Sequence, residues 1–144
     1  MLVQQILGEK PQVGVITISP KATLTEAVEL LSAHRIGAVI VSADGRGVLG
    51  ILSERDVVRE LGKRGTACLN DRVEQVMTSK IISCSKSEPA VAVLQKMTDG
   101  RFRHMPVMEG AEMVGLISIG DVVKARLSEL AMEKDALEGM IKGF

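Results

Sequence analysis

The sequence predicts an α+β fold made of two tandem β-α-β-β-α repeats, packed sheet against sheet about a pseudo-two-fold axis. Three observations predict it. The stretch Gly50-Ile51-Leu52-Ser53-Glu54-Arg55-Asp56-Val57-Val58 returns as Gly115-Leu116-Ile117-Ser118-Ile119-Gly120-Asp121-Val122-Val123. Each copy follows an apolar, strand-like run, Val39-Ile40-Val41 in the first and Pro106-Val107-Met108 in the second. Behind each run lies a segment with one apolar helical face: Leu24, Ala27, Val28 and Leu31, then Ala90, Val93, Leu94 and Met97. Such repetition marks a duplicated structural unit. A unit this small holds too little core to stand alone, so the two are expected to share one. The repeats divide the chain into residues 1–70, with a lead-in and a connector, and 71–144, with a C-terminal helical extension.

The elements follow in order. The lead-in Val3-Gln4-Gln5-Ile6-Leu7 resembles Val73-Glu74-Gln75-Val76-Met77. Val15-Ile16-Thr17-Ile18 reads as a short strand closed by Ser19-Pro20. Thr23-Leu24-Thr25-Glu26 has the form of a capping box and opens the first helix. Asp44-Gly45 marks a turn, and Val48 to Leu52 is the returning strand. A second helix starts at Ser53. Gly62 to Asp71 is a polar connection, too short for a free linker. The second copy repeats the scheme: Ile81 to Cys84 as strand, Pro89 in the first helical turn, Glu109-Gly110 as turn, Met113 to Ile117 as returning strand, and Ser118 as helix start. From Leu127 to Ile141 the chain continues as helix. Leu130 and Leu137 stand seven apart, flanked by Leu127 and Met140, which suits either a partner-binding seam or packing on the chain's own repeat.

Composition narrows the function classes. Eighteen basic residues balance 18 acidic ones, and no basic stripe offers a polyanion site. No apolar run is long enough to span a bilayer, and the N-terminal segment lacks the pattern of a signal peptide. Cys68 and Cys84 show neither metal spacing nor a disulfide framework, so both are expected reduced and the protein cytoplasmic. Two Phe, no Tyr and no Trp leave almost no ring surface. Readers of single-stranded nucleic acid depend on base stacking, so that class is not expected.

The tandem unit, the Gly-h-h-Ser-x-x-Asp ending of each copy and the segment His104-Met105-Pro106-Val107 resemble the CBS domain, two of which form a Bateman module. The resemblance covers nearly the whole chain, in the manner of a stand-alone bacterial CBS pair. It implies adenosine-containing ligands in clefts between the repeats: AMP first, with ATP, ADP, S-adenosylmethionine and NAD(H) also known in the family. It further implies pairing of two modules into a homodimer.

On that resemblance the residues take candidate roles. Asp56 and Asp121, one turn into their helices behind Ser53 and Ser118, can accept hydrogen bonds from both hydroxyls of a ribose. The same Ser-x-x-Asp pattern also serves as a plain helix cap. The adenine would lie against Ile16, Thr17, Ile36, Gly37 and Ala38 in the first cleft. In the second it would lie against Ile82, Ser83, Met105 and Pro106. Phosphate would fall to Arg35 and Arg55 in the first cleft, and to Arg101, Arg103 and His104 in the second. Pro106 matches the family's usual proline where the first copy has Val39, and Gly120 stands where the first copy has Arg55. The two clefts are therefore expected to differ, and the second is favoured. No catalytic or metal-spaced arrangement is evident, so an enzyme is not expected. The expected function is an adenine-nucleotide sensor in which ligand shifts the packing of the repeats for an unidentified regulated protein. The alternative is a protein-interaction module without a nucleotide. Neither nucleic acid nor membrane is an expected partner.

Overall fold

The computed structural model describes residues 1–10 and 14–142. In chain order the elements are α1 (Val3–Glu9), β1 (Thr17–Ile18), α2 (Leu24–His34), β2 (Ala38–Val41), β3 (Gly50–Ser53) and α3 (Glu54–Arg64). A 3-10 turn (Gly65–Asn70) follows, then α4 (Val73–Val76), α5 (Ala90–Gly100), β4 (His104–Glu109), β5 (Glu112–Ser118) and α6 (Ile119–Ile141). The chain folds as mixed helix and strand, as expected. It divides into two compact units: Gly14–Ile82 with Glu109–Val114, and Met1–Val13 with Ser83–Met108 and Gly115–Phe144.

The first of these units holds the first repeat. β1 pairs parallel with β2, and β2 pairs antiparallel with β3, with Ile40 opposite both Thr17 and Ile51. All four residues of β2 are buried, as a central strand requires. The core gathers the predicted helical face, Leu24, Ala27 and Leu31, with Val39, Val41, Leu52 and Val57. Thr23 caps α2, its hydroxyl accepting from the Glu26 N–H at 3.2 Å. The connector is packed rather than extended: its Cys68 is fully buried in the same core. The lead-in α4 closes the unit with Val73 and Val76. Beyond it, Ile51 and Thr78 exchange backbone bonds of 2.9 and 2.8 Å.

The second unit holds the second repeat from Ser83 onward, apart from Glu109–Val114, together with the N-terminal lead-in. Its buried residues include Val3, Val93, Met97, Met105, Val107, Ile117 and Val122. α1 joins through backbone bonds: Val3 N–H to the Glu88 carbonyl at 2.9 Å, and Ala90 N–H to the Met1 carbonyl at 2.8 Å. That last bond satisfies a donor at the start of α5, whose Pro89 sits at the cap and not inside the first turn. The expected strand Ile81 to Cys84 is reduced to a single parallel bridge between Cys84 and Val107. Pairing there consists of two bonds, Cys84 N–H to the Pro106 carbonyl and Met108 N–H to the Cys84 carbonyl, at 3.1 and 2.8 Å. β4 and β5 form a two-stranded sheet. Gly110 turns between them at φ +64°, in the region glycine adopts without steric cost.

Candidate functional site

Each repeat brings the end of its returning strand, the first turn of the next helix and the backbone before its middle strand to one place. In the first, the Glu54 N–H donates to the Gly37 carbonyl at 2.9 Å, and Ala38 stands opposite Ser53. In the second, the Ile119 N–H donates to the Arg103 carbonyl at 2.8 Å. The matching bonds place Gly37 and Arg103 at equivalent positions, which aligns Pro106 with Ile40 and Met105 with Val39 and so corrects the expected match of Pro106 to Val39. Gly37, Ala38, Ser53 and Asp56 are thus assembled in one unit, and Arg103, His104, Ser118 and Asp121 in the other.

Both aspartates are helix caps, reciprocal with their serines. Ser53 Oγ accepts from the Asp56 N–H at 3.3 Å, and Asp56 Oδ2 accepts from the Ser53 N–H at 2.9 Å. Ser118 and Asp121 repeat this at 3.1 and 2.8 Å. The sites then diverge. Asp56 is 4% exposed. Its Oδ2 also takes the Ser53 hydroxyl, while Oδ1 takes the Thr78 hydroxyl at 3.2 Å and the Arg59 guanidinium at 3.0 Å. Both its oxygens are engaged. Asp121 instead receives Lys10 Nζ at 2.8 Å on the same Oδ2 that caps the helix. Among the described residues nothing donates to its Oδ1, and its side chain is 26% exposed. Burial raises the Asp121 pKa, but the Lys10 hydrogen bond, the Ser118 backbone N–H and the Lys10 charge together hold it below the ordinary carboxylate value. It is ionised at neutral pH.

Lys10 and Thr78 escaped the sequence reading. The lead-ins were visible as a repeat, but nothing in either segment says which aspartate it reaches. Each lead-in also seats on a glycine. A Cβ at Gly50 would fall 2.5 Å from Met77 Sδ, and one at Gly115 would fall 2.7 Å from Leu7 Cδ2. Met77 and Leu7 are equivalent lead-in positions.

The recurrent basic residues have a backbone role. Arg35 and Arg101 end α2 and α5 in the left-handed region, at φ +52° and +55°. The Arg35 N–H returns to the Leu31 and Ser32 carbonyls, and the Arg101 N–H to Met97. Helices often end this way, usually on glycine. A Cβ there costs about 1–2 kcal/mol. Arg35 also lines a groove of about 530 Å³ between α2 and α3, with Ile36, Gly37, Leu31, Val57 and Val58. Ser53 and Asp56 are not among its lining residues.

The remaining candidates are placed as follows. Ile16 offers its carbonyl to the Ile40 N–H at 3.4 Å, and Thr17 lies in β1. Arg55 is exposed in the first turn of α3. Ile82 is 39% exposed, and the Ser83 carbonyl accepts from Lys96 at 3.4 Å. Arg101 and Arg103 are exposed and His104 half-buried, whereas Met105 and Pro106 are buried. The Pro106 carbonyl is bonded to Cys84. Among the described residues no group of three His, Cys, Asp or Glu is placed to hold a metal ion, and no helix is long and apolar enough to cross a membrane.

The repeated architecture has a counterpart in known proteins. The sequence profile of the CBS domain matches residues 7–63 and again 73–128. The chain belongs to the CBS-domain family. The mitochondrial CBS domain-containing protein CBSX3 of Arabidopsis thaliana is 34% identical over 84% of this chain, which spans 61% of that longer protein. The CBS-domain containing protein ATU1752 from Agrobacterium tumefaciens is 42% identical, with a TM-score of 0.82 over 87% of this chain and 92% of that one. The CBS domain protein PAE2072 from Pyrobaculum aerophilum, solved with AMP, shares the fold at a TM-score of 0.77 and 24% identity, over 92% of this chain and 99% of that one.

Proposed function

We propose that this CBS pair is a cytoplasmic, non-enzymatic regulatory module that binds an adenine nucleotide, with AMP the first choice and ATP or NAD(H) next. One observation carries the reading. Asp121 is ionised, partly exposed and keeps Oδ1 open beside the N-terminal N–H groups of α6. A ribose hydroxyl donating to that oxygen makes a charge-assisted bond worth about 1.5–3 kcal/mol. Arg103 and His104 stand beside it as phosphate partners, with Ser118, Met105 and Pro106 as the wall. Asp56 has both oxygens engaged, so we assign the first ligand to the second repeat. The AMP-bound relative PAE2072 lends support through its fold. The ligand selects one packing of the two repeats, in a homodimer, and a regulated protein reads that packing.

Titration calorimetry with AMP, ATP, NADH and S-adenosylmethionine, paired with thermal unfolding, tests the reading. A hundredfold excess over Kd should stabilise the fold by about 2.7 kcal/mol. No heat and no stabilisation with any of the four would leave the second reading, a protein-interaction module. The exposed apolar residues of α6 are the observation that favours it.

A further inference from the structure

Helix α6 carries an apolar stripe that its own unit leaves uncovered. Val122 and Ala125 are buried and seat α6 on its unit. Val123, Leu127, Leu130, Lys134, Leu137 and Ile141 follow one another at alternating spacings of four and three, the heptad pattern of a pairing seam. That stripe lies roughly 130° round the helix from Val122 and Ala125. Its five apolar members are 40%, 63%, 49%, 59% and 85% exposed in chain order. It also runs past residue 128, where the match to the CBS domain ends. The stripe thus begins within the repeat, at Val123 and Leu127, and continues beyond it through Leu130, Leu137 and Ile141.

We propose that this seam pairs antiparallel with the same seam of a second copy of the chain. The choice of partner rests on charge and register. Antiparallel, Val123 meets the partner's Ile141, Leu127 meets the partner's Leu137, and Leu130 meets the partner's Lys134, each pair occurring twice. Lys134 Nζ lies 3.8 Å from Glu138 on its own helix, which draws the ammonium to the flank while its stem covers the seam. On one flank Lys124 faces the partner's Glu138 at both ends, with Ala131 facing the partner's Ala131 between them. The other flank sets Glu133 near the partner's Glu133. Parallel pairing would stack Lys134 on Lys134 inside the seam and oppose Glu133 to Glu138 on both flanks. Every charged contact would then be like-signed, which disfavours it. The inference rests on the dimer part of the reading above and is independent of its nucleotide part.

Sedimentation equilibrium of the intact chain without nucleotide tests it. The wild type should form a reversible dimer. Leu130→Glu and Leu137→Glu, both at exposed positions, should each raise the dimer Kd by about tenfold or more, because a carboxylate would enter an apolar contact. Lys124→Glu or Glu138→Lys alone should weaken the dimer about threefold, and the two together should restore it. Ala131→Cys should cross-link as a disulfide dimer under mild oxidation, since residue 131 meets its own copy only in the antiparallel register. A wild-type monomer at every concentration would overturn both the seam and the dimer. A dimer indifferent to Leu130→Glu and to the charge exchange would overturn the seam alone. Calorimetry of the same samples judges nucleotide binding separately.

Discussion

Lys10 and Asp121 are bound across 111 positions of sequence, with Nζ 2.8 Å from Oδ2. The lead-in that precedes the first repeat thus serves the acidic residue of the second. Thr78, from the lead-in of the second repeat but not at the position equivalent to Lys10, serves Asp56 of the first. Lys10 also donates to the Leu116 carbonyl at 2.9 Å, which steadies the ammonium beside the carboxylate.

Lys10→Gln should therefore change the acid limb of stability. The folded Asp121 pKa lies below its unfolded value, so its contribution is present above the unfolded pKa and lost as pH falls through the folded one. Removing Lys10 should lower stability at pH 7 by less than about 1 kcal/mol, given the exposure of the pair. The difference between variant and wild type should shrink at pH 3 and below. Urea unfolding at both pH values measures it; an equal deficit at each would show that the Lys10 charge is not the cause.

Asp56→Ala and Asp121→Ala should separate stability from binding. Asp56 is buried, and its removal takes away a cap and leaves Thr78 and Arg59 without their acceptor. A loss of about 2–3 kcal/mol is expected. Asp121→Ala should cost about 1 kcal/mol as a cap, yet should weaken AMP at least about tenfold. Comparable affinity losses in the two variants would contradict the assignment of ligand to the second repeat.

Most of the fold could be read from the residues because its signals are local. The faces Leu24-Ala27-Leu31 and Ala90-Val93-Met97 are periodic within one helix, and the Ser-x-x-Asp pattern contains its own cap. What escaped depends on distant partners. Ile81 to Cys84 reads as a strand by composition, but a strand needs a neighbour along its length, and only Cys84 finds one, at Val107. The connector reads as polar loop because a 3-10 turn buries only Cys68 of its six residues. Arg35 and Arg101 recur at one position, which suggested phosphate. The structure adds a reason tied to helix ending, which no charge pattern discloses. The partners of Asp56 and Asp121 were invisible for the same cause: contact choice between segments lies outside any pattern within them.

Gly50 and Gly115 should not tolerate alanine equally. The added Cβ at Gly50 meets Met77 Sδ at 2.5 Å and the Thr78 carbonyl at 2.9 Å, so backbone must shift. At Gly115 it meets only Leu7, whose side chain can turn away. Gly50→Ala should destabilise by about 2–3 kcal/mol and Gly115→Ala by about 1 kcal/mol. Adding Leu7→Ala should relieve the clash in Gly115→Ala, whereas Met77→Ala should leave much of the Gly50→Ala penalty. Thermal unfolding of the four variants decides; a full rescue at Gly50 would mean the backbone contact is unimportant.

Cys84 should respond to alkali and resist thiol reagents. Burial pushes its pKa up to about 11, with the Glu88 charge adding and Lys96 opposing. A folded pKa above the unfolded value gives stability that is present below the unfolded pKa and declines as pH rises through the folded one. Stability should thus fall between about pH 9 and 11, and Cys84→Ala should lessen that fall. At neutral pH, iodoacetamide should label Cys84 only as the protein unfolds. Rapid labelling of native protein would place the thiol in contact with solvent.

Arg103→Ala addresses which part of a ligand the second repeat grips. Arg103 is exposed, and its carbonyl holds the Ile119 N–H at the start of α6, the helix whose first turn carries Asp121. The backbone bond survives the substitution, so the cap and the fold should persist. Loss of a guanidinium that forks onto phosphate should weaken AMP about tenfold or more while leaving adenosine within about twofold. Asp121→Ala should weaken the two ligands alike, because both carry the same ribose. Titration of each variant with both ligands separates sugar from phosphate. If Arg103→Ala reduced adenosine and AMP by the same factor, the arginine would be shaping the wall of the site and phosphate would have to be held elsewhere, with His104 the next residue to replace.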